Sequence, residues 1–139
     1  MTGLRRAFLD TNVYIDWMNA GLREDLVLGR GYVRYLSAVV AMELRVGART
    51  RAASRSLDKL LEGYEAAGRL IAPSSSVFRR AGAVLARLHS AGREVRRASL
   101  VGDVLIALTC RGFGATLYTA DGGDFGAIRK VEDFALEVV

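Results

Sequence analysis

The sequence predicts a parallel-sheet α/β fold occupying residues 1–139 as a single domain. Three observations predict it. Short strand-like apolar runs alternate with segments of helical periodicity, the pattern of strands joined by crossover helices. The chain has 139 residues and 51% hydrophobic content, enough for one domain with a real core and a squeeze for two. Acidic residues stand directly behind two of the strand-like runs, and open α/β sheets gather functional groups beyond the carboxyl ends of their strands.

Taken in order, Ala7-Phe8-Leu9 is the first strand, with Asp10 at its mouth. Asn12 to Met18 reads as a short helix capped by Thr11 or Asn12, with Val13, Ile15 and Trp17 as its apolar members. A turn or helix follows over Leu22 to Leu28, punctuated by Gly29 and Gly31. Tyr32 to Leu36 alternates like a strand, and Ser37 is a good N-cap for the next helix, which runs to Gly47. Thr50 to Ala67 carries Leu57, Leu60, Leu61 and Tyr64 at helical spacing and stops at Gly68. Leu70 to Ala72 is a short strand, and Pro73 with Ser74 to Ser76 opens a helix whose apolar positions are Phe78, Ala81, Leu85 and Leu88. After the charged link Arg93 to Arg97, residues 98–111 are apolar nearly all round, which in a soluble chain marks a central buried helix. Residues 115–119 and 134–139 are the last two strands, with only a turn expected on the way to Ile128.

The net charge is +5, from 18 Arg, Lys59 and Lys130 against 15 acids, which suits a polyanionic partner. Guanidinium favours phosphate geometry, although genome base composition also biases Arg over Lys. Cys110 is the only cysteine, so an intramolecular disulfide is excluded and a thiolate metal site is not expected. It reads as a small buried helix residue. No apolar run has the roughly 18 residues of a membrane span, and Met1 to Arg6 lacks a signal-peptide pattern. The expectation is a cytoplasmic protein.

Four acids carry the chemistry. Asp10 and Asp121 follow strand-like runs. Glu43 has Val39, Val40, Val46 and Gly47 three and four residues away, and Asp103 has Ser99, Leu100, Ile106 and Ala107, so both project from apolar helix faces. Each has a bland alternative: a helix cap for Asp10, an arginine partner for Glu43, a backbone hydrogen bond for Asp103, a turn for Asp121. Four inward carboxylates do not coexist as isolated charges, since desolvation neutralises them or unfolds the chain. A divalent cation resolves the conflict.

Asp10-Thr11-Asn12, Glu43 in Ser37-Ala-Val-Val-Ala-Met-Glu-Leu44, Asp103 in Asp-Val-Leu-Ile-Ala107, and Thr119-Ala-Asp-Gly-Gly-Asp-Phe125 together resemble the PIN domain, and most of all its VapC-type branch of toxin ribonucleases. The resemblance runs from about Ala7 to the C-terminus. It implies a three-layer α/β/α sandwich and Mg²⁺- or Mn²⁺-dependent endonucleolytic cleavage of RNA. It also implies a cognate antitoxin and a homodimer. Asp10, Glu43, Asp103 and Asp121 match the acidic positions, as both catalytic residues and metal ligands, and Thr11 and Thr119 match positions flanking them. Many relatives carry Asn where Asp121 stands, so Asp124 is the other candidate for fourth acid, against a simple role as cap of the turn towards Ile128.

Mg²⁺ keeps several waters and is held by one or two carboxylates with substrate phosphate oxygens, which an all-oxygen acid ring suits. His89 is remote in sequence from every motif and is read as a surface residue. Arg93, Arg96 and Arg97 on the link are the candidate substrate-binding residues. Arg51, Arg55 and Lys59 make a second basic stripe, for phosphate or simply for solvent. A receiver-type phosphoacceptor module is disfavoured, because neither lysine ends a parallel strand and Asp103 sits mid-helix. A housekeeping RNA-processing nuclease and a non-catalytic PIN-like interaction domain remain as alternatives to a toxin.

Overall fold

The computed structural model describes residues 3–139; Met1 and Thr2, the start of the segment read as lacking a leader, lie outside them. In chain order the elements are β1 (Arg5–Leu9), α1 (Thr11–Ala20), α2 (Glu24–Leu28), β2 (Tyr32–Ser37), α3 (Ala38–Gly47) and α4 (Arg51–Ala66). They continue with β3 (Leu70–Ile71), α5 (Ser75–Ser90), α6 (Ala98–Gly112), β4 (Thr116–Thr119), α7 (Phe125–Val131) and β5 (Ala135–Val138). The strands form one five-stranded, all-parallel sheet in the order β3-β2-β1-β4-β5, the centre of an α/β/α sandwich.

That order positions the site. From the central β1 the chain moves outward to β2 and β3, then crosses back through α5 and α6 to β4 on the other side of β1. Such a reversal leaves a crevice at the carboxyl ends of the two strands where the winding changes direction. Here those strands are β1 and β4, paired Leu9 to Tyr118, and the residues that follow them are Asp10 and Ala120-Asp121. The Asp10 N–H donates to the Tyr118 carbonyl at 2.8 Å, so the acidic end of β1 is stitched to the end of β4 by the sheet ladder itself.

The core explains how an acid is tolerated mid-helix. On α6, Leu100, Gly102 and every residue from Val104 to Cys110 are buried, and the helix packs against α3, α5, α7 and β4. Burying each of Leu100, Val104, Ile106 and Leu108 stabilises the fold by about 1.5–3 kcal/mol, more in total than one partly solvated carboxyl costs. Cys110 is a buried packing residue on this helix, its thiol donating to the Ala115 carbonyl at 3.3 Å and pushed up to about 12 by burial. Between α1 and α4, the Tyr14 and Tyr64 hydroxyls meet at 2.8 Å, and burial raises both phenols above their ordinary range. Arg34 closes α2 by donating to the carbonyls of Leu26 and Gly29, both at 2.6 Å, which satisfies the last turn of a helix too short to hold itself.

Local differences from the sequence reading have physical reasons. Residue 10, rather than 11 or 12, is the N-cap of α1, because its extended backbone lets a carboxylate oxygen accept the Thr11 N–H. Phe125 to Val131 is a real helix, α7, where only a turn was expected; seven residues give too little periodicity, and burial of Phe125 and Ile128 stabilises it. On α5 the buried stripe is Ala81, Val84 and Leu88, while Phe78 is 56% exposed. The helix is rotated so that Val77 rather than Phe78 packs on the core.

Candidate active site

Asp10 ends β1 and begins α1, and both its oxygens are engaged. Oδ1 accepts the Thr11 N–H at 2.9 Å and Oδ2 lies 2.9 Å from the Thr119 hydroxyl. The residue is only 7% exposed. Burial raises its carboxyl above the ordinary value; the two hydrogen bonds oppose that rise, and the charges of Glu43 and Asp121 add to it. The capping role weighed for Asp10 is therefore real, but it occupies one oxygen and leaves the carboxylate facing other acids.

Glu43 arrives from α3, whose start is fixed by Ser37: the Ser37 hydroxyl accepts the Val39 N–H at 3.1 Å. The Thr11 hydroxyl donates to Glu43 Oε1 at 2.6 Å, tying α3 to the turn that presents Asp10. Asp103 comes from α6, and the residue before it explains the proximity. A Cβ at Gly102 would stand 3.7 Å from Glu43 Oε2 and 3.5 Å from Val39 Cγ1, so α6 and α3 meet at van der Waals contact there. Burial first, then the charges of Asp10 and Glu43, push the Asp103 carboxyl up to about 7; Asp124 adds to this and Arg97 opposes it.

Asp121 lies at the mouth. It is exposed, its Oδ1 accepts the Gly123 N–H at 3.0 Å, and its charge acts on Asp10. The turn and a place beside the acids thus coexist in one residue. Asp124 stands at the N-cap position of α7, but its side chain makes no capping hydrogen bond. Its carboxylate instead receives Arg93 Nη1 at 2.8 Å and Arg97 Nη2 at 2.9 Å. Arg96 is separate: its side chain is 91% exposed, with Glu94 at 3.5 Å. His89 is exposed on α5, and Arg51, Arg55 and Lys59 are exposed on α4.

Asn12, read from sequence as a helix cap and as part of the Asp10-Thr11-Asn12 motif, works across the crevice. Its Oδ1 accepts the Ala120 N–H at 3.0 Å and its Nδ2 donates to Thr119 Oγ1 at 3.2 Å. Thr119 is fully buried and also contacts the Asp121 carbonyl at 2.8 Å, so Asn12 and Thr119 hold the ends of β1 and β4 in fixed relation. The signal was a polar pair at two strand ends, and its partner was more than a hundred residues away.

Among the described residues none of Asp10, Glu43, Asp103 and Asp121 has an ion-pair partner, in a chain with 18 arginines. The arginine partner weighed for Glu43 is not there. The donors around the crevice are carboxylate and hydroxyl oxygens, a hard set suited to Mg²⁺ or Mn²⁺. Among the described residues no three acid, His or Cys side chains converge as a preformed cage. Mg²⁺ asks for less, since one or two carboxylates suffice alongside water and phosphate oxygens. Carboxylates that raise one another's proton affinity across a shared space are the charge pattern a divalent cation relieves.

A parallel α/β domain with unpaired acids at its winding reversal is, as a class, an acidic-site α/β domain. The PIN domain family model matches residues 7–131, and the chain belongs to the PIN domain family. Three solved structures are similar to the chain over nearly its whole length. VapBC-1 from nontypeable Haemophilus influenzae has 21% identity and a TM-score of 0.71, over 96% of this chain and 97% of that one. FitAcB from Neisseria gonorrhoeae has 26% identity and a TM-score of 0.69, over 94% and 95%. VapBC-5 from Mycobacterium tuberculosis, described as a member of the VapBC family of toxin–antitoxin systems, has 26% identity and a TM-score of 0.61, over 96% and 97%. No curated protein sequence is significantly similar to the chain. Among the described residues no helix is long and apolar enough to cross a membrane.

Proposed function

We propose that this chain is a metal-dependent endoribonuclease, the toxin of a toxin–antitoxin pair, working as one nuclease domain over residues 1–139. The observation that carries the reading is that Asp10, Glu43 and Asp103 have no ion-pair partner among the described residues, while the charges of Asp10 and Glu43 raise the Asp103 carboxyl and that of Glu43 raises Asp10. Asp10, Glu43 and Asp103 would hold Mg²⁺ or Mn²⁺, with Asp121 contributing at the mouth. When bound, the cation would supply Lewis acidity for activating water and offsetting charge at the phosphate. The chain's own residues do the placing. Thr119 fixes Asp10, Thr11 fixes Glu43, and the close contact at Gly102 sets the spacing of α6 from α3. Burial and the charges of Asp10 and Glu43 push the Asp103 carboxyl up to about 7, and a cation beside it would favour its ionised form. Arg93, Arg96 and Arg97 on the link between α5 and α6 receive the phosphate backbone, with Arg97 near enough for its charge to act on Asp103.

The toxin reading is favoured over housekeeping RNA processing by an apolar groove beside α1. Its volume is about 830 Å³, and Trp17, Met18, Leu44, Leu57 and Leu60 line it between α1, α3 and α4. An amphipathic helix from a cognate antitoxin suits such a groove, and the assemblies formed by the similar structures support a partner of that kind. The same reading makes the working unit a homodimer. The deciding experiment incubates purified chain with single-stranded RNA in Mg²⁺ or in EDTA and sequences the product ends. Cleavage in Mg²⁺ alone, leaving 5′-phosphates, is the expected result. Cleavage undiminished in EDTA, or none in Mg²⁺, overturns it.

A further inference from the structure

The link from Arg93 to Arg97 has no helix or strand of its own, yet two of its guanidiniums are anchored on one carboxylate. Asp124 has 18% side-chain exposure and gives one oxygen to each: Oδ1 to Arg93 and Oδ2 to Arg97. Both guanidiniums stay nearly half exposed, at 44% and 48%, and each keeps N–H donors that Asp124 does not use. Two positive charges on one negative leave a net positive fork facing solvent. This fork stands beside the acids, since Asp124 and Arg97 both act on the Asp103 carboxyl. Arg96, one residue away, points into solvent with only Glu94 near it.

We propose that Asp124 is a positioning residue and not a metal ligand: it holds Arg93 and Arg97 as a phosphate-binding fork at the edge of the acidic crevice, for the phosphate next to the one that is cut. The inference rests on the nuclease reading above. Fixing both side chains in advance removes much of the rotamer entropy that two free arginines lose on gripping a phosphate, and a planar fork matches a phosphate's paired oxygens. It also divides the link's arginines, with Arg93 and Arg97 placed for recognition and Arg96 left in the general field of the surface.

The sign of one substitution separates this from its rivals. Asp124→Asn removes a negative charge next to the RNA path, so a bare charge effect tightens RNA binding. Loss of positioning weakens it. Three measurements on the wild-type chain, Asp124→Asn, Asp124→Glu, Arg93→Ala, Arg97→Ala and Arg96→Ala decide the matter. RNA affinity is read by fluorescence anisotropy of a single-stranded oligonucleotide at several salt concentrations, in an Asp10→Asn background that does not cut. Mn²⁺ affinity is read by electron paramagnetic resonance without RNA, and kcat and KM by RNA cleavage.

Expected for Asp124→Asn is an increase in Kd and KM of about five-fold, with kcat and Mn²⁺ affinity within two-fold of wild type and partial rescue in Asp124→Glu. Arg93→Ala and Arg97→Ala each weaken RNA binding and lower the slope of log Kd against log salt by about 0.7, the value for one phosphate contact on a single strand. Arg96→Ala does less than either. Tighter RNA binding in Asp124→Asn, or a ten-fold loss of Mn²⁺ affinity, overturns the positioning role while leaving the nuclease reading intact. If wild type cuts no RNA, the nuclease reading falls, and the positioning role is then judged by the anisotropy series alone.

Discussion

Replacing Asp103 by Asn should make the metal-free protein more stable at pH 8, even though it removes a residue from the centre of the site. Burial and the charges of Asp10 and Glu43 push the Asp103 carboxyl from 3.8 up to about 7. At about 1.4 kcal/mol per pH unit this is an upper bound of about 4 kcal/mol held against the ionised native state. Asp103 is partly open to solvent, which screens the repulsion, and Asn still desolvates an amide, so the expected gain is about 1–2 kcal/mol. The sign follows from proton binding. The native state binds this proton more tightly than the unfolded state, so the stabilising contribution of protonation is full below about pH 4 and is lost as pH rises towards 7. Urea unfolding in EDTA at pH 8, 7, 6 and 5 reads the difference. The variant should lead by its full margin at pH 8, the two curves should approach one another below pH 7, and added Mg²⁺ should stabilise the wild type more than the variant. Equal stability at pH 8, or a variant weaker at every pH, refutes the reasoning, because Asp103 would then be a structural hydrogen-bonding residue.

Asp10→Asn and Glu43→Gln should each lower RNA cleavage at least a hundred-fold while circular dichroism stays native, since each removes a charge from the cation's ligand set; normal turnover in either would remove that residue from the site. Gly102→Ala should be near neutral, because a Cβ there meets Glu43 Oε2 at 3.7 Å, an ordinary contact, and Gly102→Leu should cut activity ten-fold or more, because the added atoms have to be placed against Val39 and Glu43; equal activity in both would mean that α3 and α6 are free to separate. Thr119→Val should destabilise the fold by about 1–3 kcal/mol by leaving Asp10 Oδ2 without its buried donor, and calorimetric melting measures the loss. Expression of the chain alone should arrest growth, and Met18→Glu, at an exposed residue of the groove beside α1, should block rescue by the neighbouring gene product without lowering cleavage; harmless expression of active enzyme would count against the toxin reading.

What the sequence determined by itself was the material of the site and the framework that carries it. Apolar runs such as Ala7-Phe8-Leu9 and Tyr32 to Leu36 are strands because their patterning is local, and α6 is central because its apolar residues cover the whole circumference. Asp10, Glu43 and Asp103 were visible as acids where none belongs, since the cost of burying a charge is a property of the residue and its near neighbours. The tertiary structure alone decided which atoms meet. Whether β4 lies beside β1, whether Thr119 reaches Asp10 across 109 positions, and how closely α6 approaches α3 at Gly102 depend on the order of strands and the packing of helices. Asp124 shows the same division. Its side chain suits a helix cap in any local reading, but Arg93 and Arg97 come to it from 31 and 27 residues away and take both its oxygens. Pairing energies of that kind depend on distance in space, and a linear sequence holds that information only through the fold it specifies.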